Sequence, residues 1–563
     1  AEYAPYLIYL RVLWERYAAE LEREVAETGA IHLTSFQKDG LERARRMLDR
    51  HHGVLIADSV GLGKTFMAGA LLDEVINRRR QRALLIAPAA LRDGTWARFK
   101  ARYQLGVEVR SYEEVMQDWQ LGGKGDGLSA KVNEYALIVI DEAHAYRHAD
   151  TRRAEALRRL LQGDPPKHLM LMTATPVNNS LWDLYELLAY FVGHDAVFAD
   201  AGIPSLKERF DAASRVDPLT LKPDVLFDVL DATTVRRTRH FVKRYYANDT
   251  IRQPDGTEVT IQFPKPHVHK ATYDLEKVLP GFFDEVTEIL APEDGHARLT
   301  MARYWPSKYR RGGQPDAREA ALVGLIRSGL LKRFESSARA FAMTLGRMIS
   351  AHDNFLEGLK RGVILGSEQL VELEETDSDE AWEALFEKGT PIRGDQYDVE
   401  ALRAAVASDQ QLLKRLHDRA VTVTAEKDPK LALLVEALVE ILQAAEKEGV
   451  TEEQKRDRRK VLIFSYFADS VDWIHDYLRR RLDTDHRLAP YRRRIAALSG
   501  MRSYDEVGRQ HAIYGFAPRS MEAPPALDDD KYDILVTTDI LSEGMNLQQA
   551  ARIINYDLPW NPM

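Results

Sequence analysis

Lys64 and Thr65 close the stretch VLIADSVGLGKT at residues 54–65, and Asp141 and Glu142 lie inside ALIVIDEAH at residues 136–144. The first stretch is an apolar run, a glycine-containing loop, and a helix opened by Lys64-Thr65. Such a loop points backbone N–H groups and a helix N-terminus at phosphates. Lys64 would reach the outer phosphates and the Thr65 hydroxyl would ligate Mg²⁺. The second stretch is a buried-type strand ending in two carboxylates. Asp141 can hold Mg²⁺, and Glu142 can orient and deprotonate a water. In this order and at this separation the two mark an NTP-hydrolysing motor core. Two plainer readings compete. Asp58 stands where the first glycine of such a loop is usual, so a simple strand–turn–helix is one. A carboxylate pair capping a helix is the other.

Further residues carry weaker signals. Gln37 follows Phe36 upstream of the loop, where a side-chain amide could read an adenine edge. Thr173-Ala174-Thr175-Pro176 follows an apolar run, and its hydroxyls could link a hydrolysis site to a nucleic-acid groove. The stretch LTMARYWPSKYRRGG at 299–313 mixes Arg303, Tyr304, Trp305, Lys308, Arg310 and Arg311. Cations meet phosphates and aromatics meet bases, so this is the composition of a nucleic-acid contact; a partner-facing loop competes with it. His144 and His148 share a helix face, but no third ligand accompanies them, which argues against zinc.

The elements that must position these residues alternate between short apolar runs and helical patterns. Val54–Ala57, Ala83–Ala87, Leu137–Ile140 and Leu169–Met172 read as parallel strands of a doubly wound α/β domain. Residues 1–30 read as one amphipathic helix. A β-like passage around Ile251–Tyr273 carries the turn Pro254-Asp255-Gly256, and roughly 275–425 is helical by pattern, with an acidic stretch at Glu368–Glu380. After Asp428-Pro429 a second alternation supplies Val461–Ser465, Ile495–Leu498, Ile534–Thr537 and Ile553–Asn555. The expected organisation is an N-terminal helix at 1–32, a first lobe at 33–245, a mainly helical insertion at 246–425 and a second lobe at 426–563.

Composition limits the alternatives. The 563 residues are 45% hydrophobic and 29% charged, enough for sizeable cores. The sequence has no cysteine, which removes disulfides, thiolate zinc sites and cysteine nucleophiles. No apolar run approaches the roughly 18 residues of a membrane span. The net charge is −9, so nucleic-acid binding would need a local basic groove. Ala1 is not an initiator methionine, so the chain is expected to start downstream of the natural beginning.

Taken together, ADSVGLGKT, LLIAPAAL with Trp96 nearby, IVIDEAH, MTATPVNN, VLIFSYF, LSG at 498–500, and TTDILSEGMNLQ before INYDLPWNP resemble a superfamily-two helicase of the Swi/Snf family. SEGMNLQ and DLPWNP resemble its bacterial RapA-like branch, and Val235-Arg236-Arg237-Thr238 resembles the family's Arg-Arg segment. The resemblance implies two RecA-like lobes that use ATP and Mg²⁺. Gln37 would contact adenine, and Gly61, Gly63, Lys64 and Thr65 would hold phosphates, with Thr65 and Asp141 on the metal. Lys64, Asp141 and Glu142 would be catalytic. Ser542, Glu543 and Gly544 would close on the nucleotide, and His144, Thr173 and Thr175 would couple the sites. Trp96 and Ser111-Tyr112 would lie along the nucleic-acid track, with a packed structural role as the equal alternative for Trp96; Arg303, Lys308, Arg310 and Arg311 are candidates for the same track by composition alone. Arginines reaching the γ-phosphate are expected beyond DLPWNP, with Arg236 or Arg237 as substitutes.

The implied activity is ATP-driven translocation on double-stranded DNA in the cytoplasm, with no membrane role. RNA-polymerase recycling or antiphage defence would be its setting, the latter with a nuclease or other defence subunit. The alternatives are an ATP-gated interaction module and a strand-separating helicase.

Overall fold

The computed structural model describes residues 31–178, 180–217, 222, 224–252, 257–291, 298–312, 314–360, 363–366, 390–393, 396–499, 506–538 and 545–557. The expected helix over 1–30, the acidic stretch, Ser542, Glu543, Gly544 and the chain end after Asp557 lie outside the described residues. Two compact units divide at His267–Val268.

The first unit is built on a six-stranded, all-parallel sheet: β1 (Gly53–Ile56), β2 (Arg82–Ala87), β3 (Glu108–Ser111), β4 (Tyr135–Ile140), β5 (His168–Met172) and β6 (Thr234–Val235). Their order is β3-β2-β4-β5-β1-β6. The central strands are continuous apolar runs because both faces are covered, as parallel sheets require. All four strands expected here form, and all are parallel. Helix α1 (Ser35–His51) precedes β1, and α2 (Lys64–Asp73) follows it. A hairpin of β7 (Thr250–Arg252) and β8 (Glu258–Thr260) ends the unit. The unit runs past the expected boundary at 245, because Ile261 and Phe263 pack against Phe36, Leu62 and Val242.

The second unit holds the helical region together with the second sheet. Its long helices are α3 (Ala317–Ser336), α4 (Ala338–Lys360) and α5 (Val399–Ala420), with an antiparallel pair of β9 (Val363–Gly366) and β10 (Thr390–Arg393). Leu322, Ile326, Leu330, Phe341, Leu345, Met348, Leu413 and Leu416 form its helical core. α6 (Pro429–Glu448) leads into β11 (Val461–Phe464), followed by α7 (Ala468–Thr484), β12 (Ile495–Leu498), β13 (Ile534–Thr537) and β14 (Arg552–Asn555). This sheet is also all parallel, in the order β12-β13-β11-β14. The helical region, which lies between the two sheets in the chain as expected, groups with the second sheet in one compact unit.

Candidate functional site

In an open parallel sheet, ligands bind outside the carboxyl ends of the strands. The order β2-β4-β5-β1-β6 brings every motif of the first unit to that rim. Ile56 is in register with Met172 and Val235, and Ile140 with Leu171 and Ile86. The glycine loop, the carboxylate pair, the Thr173–Thr175 turn and the Arg-Arg segment thus leave the sheet side by side.

Gly61 and Gly63 take positive φ, +82° and +77°, which glycine adopts without steric cost. A Cβ on Gly63 would stand 2.3 Å from Gln37 Nε2, so a larger residue would displace that amide as well as strain the backbone. α2 opens at Lys64 with no side-chain cap and no acidic residue in its first turn. Its leading N–H groups therefore face the loop as an anion cradle. Lys64 Nζ donates to the Asp58 carbonyl at 2.9 Å. Burial lowers the Lys64 pKa, while Glu142, Asp141 and Asp58 raise it.

Asp58 has a different task from the glycine it replaces. It is fully buried and accepts from the Arg237 backbone N–H at 2.8 Å and from Arg237 Nε at 3.1 Å, with Nη2 on its other oxygen. Arg237 also donates to the Phe36 carbonyl and lies over the Phe36 ring. One guanidinium thus ties β6, the glycine loop and the start of α1 together. Its burial removes Arg237 as a substitute for a γ-phosphate arginine.

Gln37 is 7% exposed. Its Oε1 accepts from the Thr34 N–H at 3.0 Å and its Nε2 donates to the Leu62 carbonyl at 3.1 Å. The amide braces the glycine loop and keeps one N–H and one lone pair for an adenine edge.

Asp141 is 7% exposed, and its carboxyl is oriented from both sides. Trp96 Nε1 donates to Oδ2 at 2.8 Å and the Glu142 N–H to Oδ1 at 3.0 Å. Burial, reinforced by the neighbouring Glu142 charge, pushes the Asp141 pKa up to about 6, against the pull of these donors and Lys64. A buried carboxylate under-compensated by Lys64 is what a divalent cation would neutralise. With Thr65 half-buried in the first turn of α2, the donor set fits Mg²⁺, and the loop fits a nucleotide triphosphate. Glu142 itself sits at φ +48°, a conformation sparsely used by non-glycine residues and concentrated at functional sites. Tyr112 Oη holds that peptide in place, 2.5 Å from the Asp141 carbonyl and 3.0 Å from that of Glu142.

From Glu142 a polar chain runs sideways. His144 Nδ1 is 3.3 Å from Glu142 Oε2 and 3.3 Å from Thr173 Oγ1. Thr173 Oγ1 in turn accepts the Thr175 N–H at 3.1 Å. The structure brings together all three residues expected to couple the sites.

Residues 96–278 match the SNF2-related domain, and residues 434–563 match the helicase conserved C-terminal domain. The chain belongs to the Swi/Snf family of superfamily-two helicases. Among the relatives it resembles, the uncharacterized ATP-dependent helicase YqhH of Bacillus subtilis (strain 168) is 28% identical over 198 residues, 31% of this chain and 34% of YqhH. Chromodomain-helicase-DNA-binding protein 1-like of Danio rerio is 24% identical over 301 residues, 46% of this chain and 28% of that protein. The chain thus spans about a third or less of the length of these relatives. A solved Sulfolobus solfataricus SWI2/SNF2 ATPase core in complex with dsDNA aligns with 95% of this chain and 84% of its own, at 17% identity and a TM-score of 0.33.

Within this Swi/Snf chain, two residues expected on the nucleic-acid track lie elsewhere. Trp96 is 1% exposed and packed edge-on against Phe99, so it cannot line a groove; it serves Asp141 instead. Tyr112 is likewise buried beneath the carboxylate pair. In the 299–313 stretch, Arg303 is only half-exposed, its guanidinium stacked over the buried Tyr304 ring at 4.7 Å, and it leaves the candidate surface. Lys308, Arg310 and Arg311 are exposed. Lys308 lies over Trp305, Arg310 donates to Gln396 Oε1 at 3.0 Å, and the Arg311 N–H donates to the Gln396 carbonyl at 2.9 Å. Sequence reasoning did not assign Asp58, Arg237 or Tyr112 these positions. The one available hint was a charged residue, Asp58, in a loop that usually has glycine there.

Proposed function

We propose that this chain is the motor core of an ATP-dependent translocase on double-stranded DNA, hydrolysing ATP to ADP and phosphate. The observation that carries the reading is the convergence at one rim of the Lys64 loop, the Trp96-oriented Asp141, and the chain Glu142–His144–Thr173. Phosphoryl transfer needs positioning and charge neutralisation more than covalent chemistry, and these residues supply both. Lys64 and the N–H groups of α2 would hold the triphosphate, and Thr65 and Asp141 would hold Mg²⁺. Bound Mg²⁺ would supply charge neutralisation at the transferring phosphoryl group. Glu142 accepts the proton of the attacking water. His144 relays the state of Glu142 to Thr173 and Thr175. Lys308, Arg310 and Arg311 meet the phosphate backbone.

Family membership supports duplex DNA as the track, and the exposed cations support backbone contact over base reading. Among the described residues no helix is long and apolar enough to cross a membrane. A cytoplasmic place, a setting in RNA-polymerase recycling or antiphage defence, and a nuclease or other defence subunit as partner belong to the same proposal. The setting and the partner rest on SEGMNLQ and DLPWNP, and genomic neighbours test them; the cytoplasmic place rests on the cysteine-free composition, and cell fractionation tests it. ATP turnover with duplex DNA, single-stranded DNA and RNA tests the activity. Stimulation by duplex DNA supports the translocase, whereas ATP binding without nucleic-acid stimulation would support an ATP-gated module.

A further inference from the structure

A buried polar knot lies at the carboxyl rim of the second sheet, where β11 and β14 end. Asp557 Oδ2 accepts from Ser336 Oγ at 2.9 Å, Ser465 Oγ at 2.6 Å and the Tyr466 N–H at 2.9 Å. Its Oδ1 is 3.0 Å from Lys430 Nζ. That ammonium donates to the Ser336 carbonyl at 2.8 Å and lies over the Tyr556 ring at 4.1 Å. The hydroxyls have a direction. The carboxylate only accepts, so Ser336 donates to it, Ser470 donates to Ser336 at 2.7 Å, and Ser337 donates to Ser470 at 2.8 Å. Beside them Asp469 is paired with the buried Arg333 at 3.7 Å and with Arg347 at 3.4 Å.

Ser336 is the last residue of α3. At the other end of the same helix, the Ser307 N–H donates to Glu319 Oε2 at 2.9 Å and the Asp316 N–H to Ser307 Oγ at 2.8 Å. Ser307 adjoins Lys308. The segment is fixed from beneath by the fully buried Asp409, which accepts from the Thr300 and Ala302 N–H groups at 2.7 and 2.9 Å. A single helix of 20 residues, about 30 Å long, therefore runs from the basic segment to Asp557. Rigid elements with polar contacts at both ends are what carry coupling between sites.

We propose that α3 is a coupling rod: a polyanion held by Lys308, Arg310 and Arg311 is sensed at the rim of the second sheet through Ser336 and Asp557, which are positioning residues. This rests on the DNA-translocase reading. It predicts that Ser336→Ala uncouples without weakening DNA binding, since Ser336 lies at the far end of the rod.

The test is amide hydrogen exchange on the protein with and without a mixed-sequence duplex, alongside DNA affinity and ATP turnover. In the parent, duplex DNA should slow exchange in 465–470 and 552–557. Ser336→Ala should abolish that change at unaltered DNA affinity and ATP KM, and should lower DNA-stimulated kcat about three- to thirtyfold. Arg459→Gln is the matched control. It breaks a contact to Asp533 at the opposite rim of the same sheet and should leave both readouts at parental values. Duplex binding that leaves 465–470 and 552–557 unchanged in the parent overturns the rod alone. So does a Ser336→Ala response equal to that of Arg459→Gln. Absence of duplex binding overturns the translocase reading, and the rod with it.

Discussion

The indole N–H of Trp96 reaches across 45 residues of sequence to hold Asp141 Oδ2 at 2.8 Å. The tryptophan five residues past the end of the LLIAPAAL motif is therefore part of the carboxylate site. Asp141 projects from β4 beside β2, and the turns after β2 carry the indole back over it.

Trp96→Phe keeps the ring packing on Phe99 and deletes the donor. Hydrogen bonds to charged groups are worth about 1.5–3 kcal/mol, so Mn²⁺ affinity in the presence of ATP should fall roughly 10- to 150-fold. Electron paramagnetic resonance of bound Mn²⁺ reads this directly. Duplex-DNA affinity without nucleotide should be unchanged; a fall there would return Trp96 to the track.

Arg237→Met should be strongly destabilising, because it leaves the Asp58 carboxylate buried without its partner. Breaking one side of a buried pair costs about 3–5 kcal/mol. The first unfolding transition in urea should move to lower denaturant, and ATP binding should weaken with it, since Asp58 supports Lys64. Asp58→Asn with Arg237→Met should recover part of the loss. A single variant no less stable than the parent would contradict the clamp.

His352 gives the helical core an acid-sensitive point. Burial pushes its pKa down to about 4, with Arg303 acting in the same direction and the Met348 carbonyl and Asp353 against it; the Tyr304 ring packs edge-on beside it. The unfolded chain takes a proton near pH 6.5 and the folded one only near 4. Stability is therefore lost as pH falls from 6.5 to 4, by about 1.4 kcal/mol per pH unit. His352→Phe should flatten the pH dependence of urea unfolding in that window.

Lys308, Arg310 and Arg311 replaced together should reduce the salt dependence of duplex binding. Each lost phosphate contact lowers the slope of log K against log[salt] by about 0.9. Replacing Arg303 should leave the slope unchanged while lowering stability, because its guanidinium covers Tyr304.

The sequence showed the eight principal strands because each is a short apolar run between helical patterns. It did not show β3 or β6. Glu108–Ser111 is a half-exposed edge strand with two charged residues, and Thr234–Val235 is two residues long. The chemistry of the site was legible where it is local, in the Lys64 loop and the Asp141-Glu142 pair. Its supports were not, because they are long-range. Arg237 meets Asp58 across 179 residues, and neither residue type announces the other. The place of Trp96, on the track or packed inside, stays open in the sequence because a lone tryptophan carries no periodic signal of burial. Arg303 and Lys308 share a basic stretch, but the 3₁₀ turn Ala302–Tyr304 directs one guanidinium inward while the ammonium stays exposed.

In the proposed function, Glu142 activates water at an ATP site that answers to DNA. Glu142→Gln keeps the shape and removes the base. ATP binding and steady-state hydrolysis should be measured for parent and variant, with and without duplex DNA. Duplex DNA should stimulate the parent severalfold, and the variant should bind ATP with parental affinity but turn it over at least about a hundredfold more slowly. Hydrolysis by Glu142→Gln at the parental rate would contradict that role.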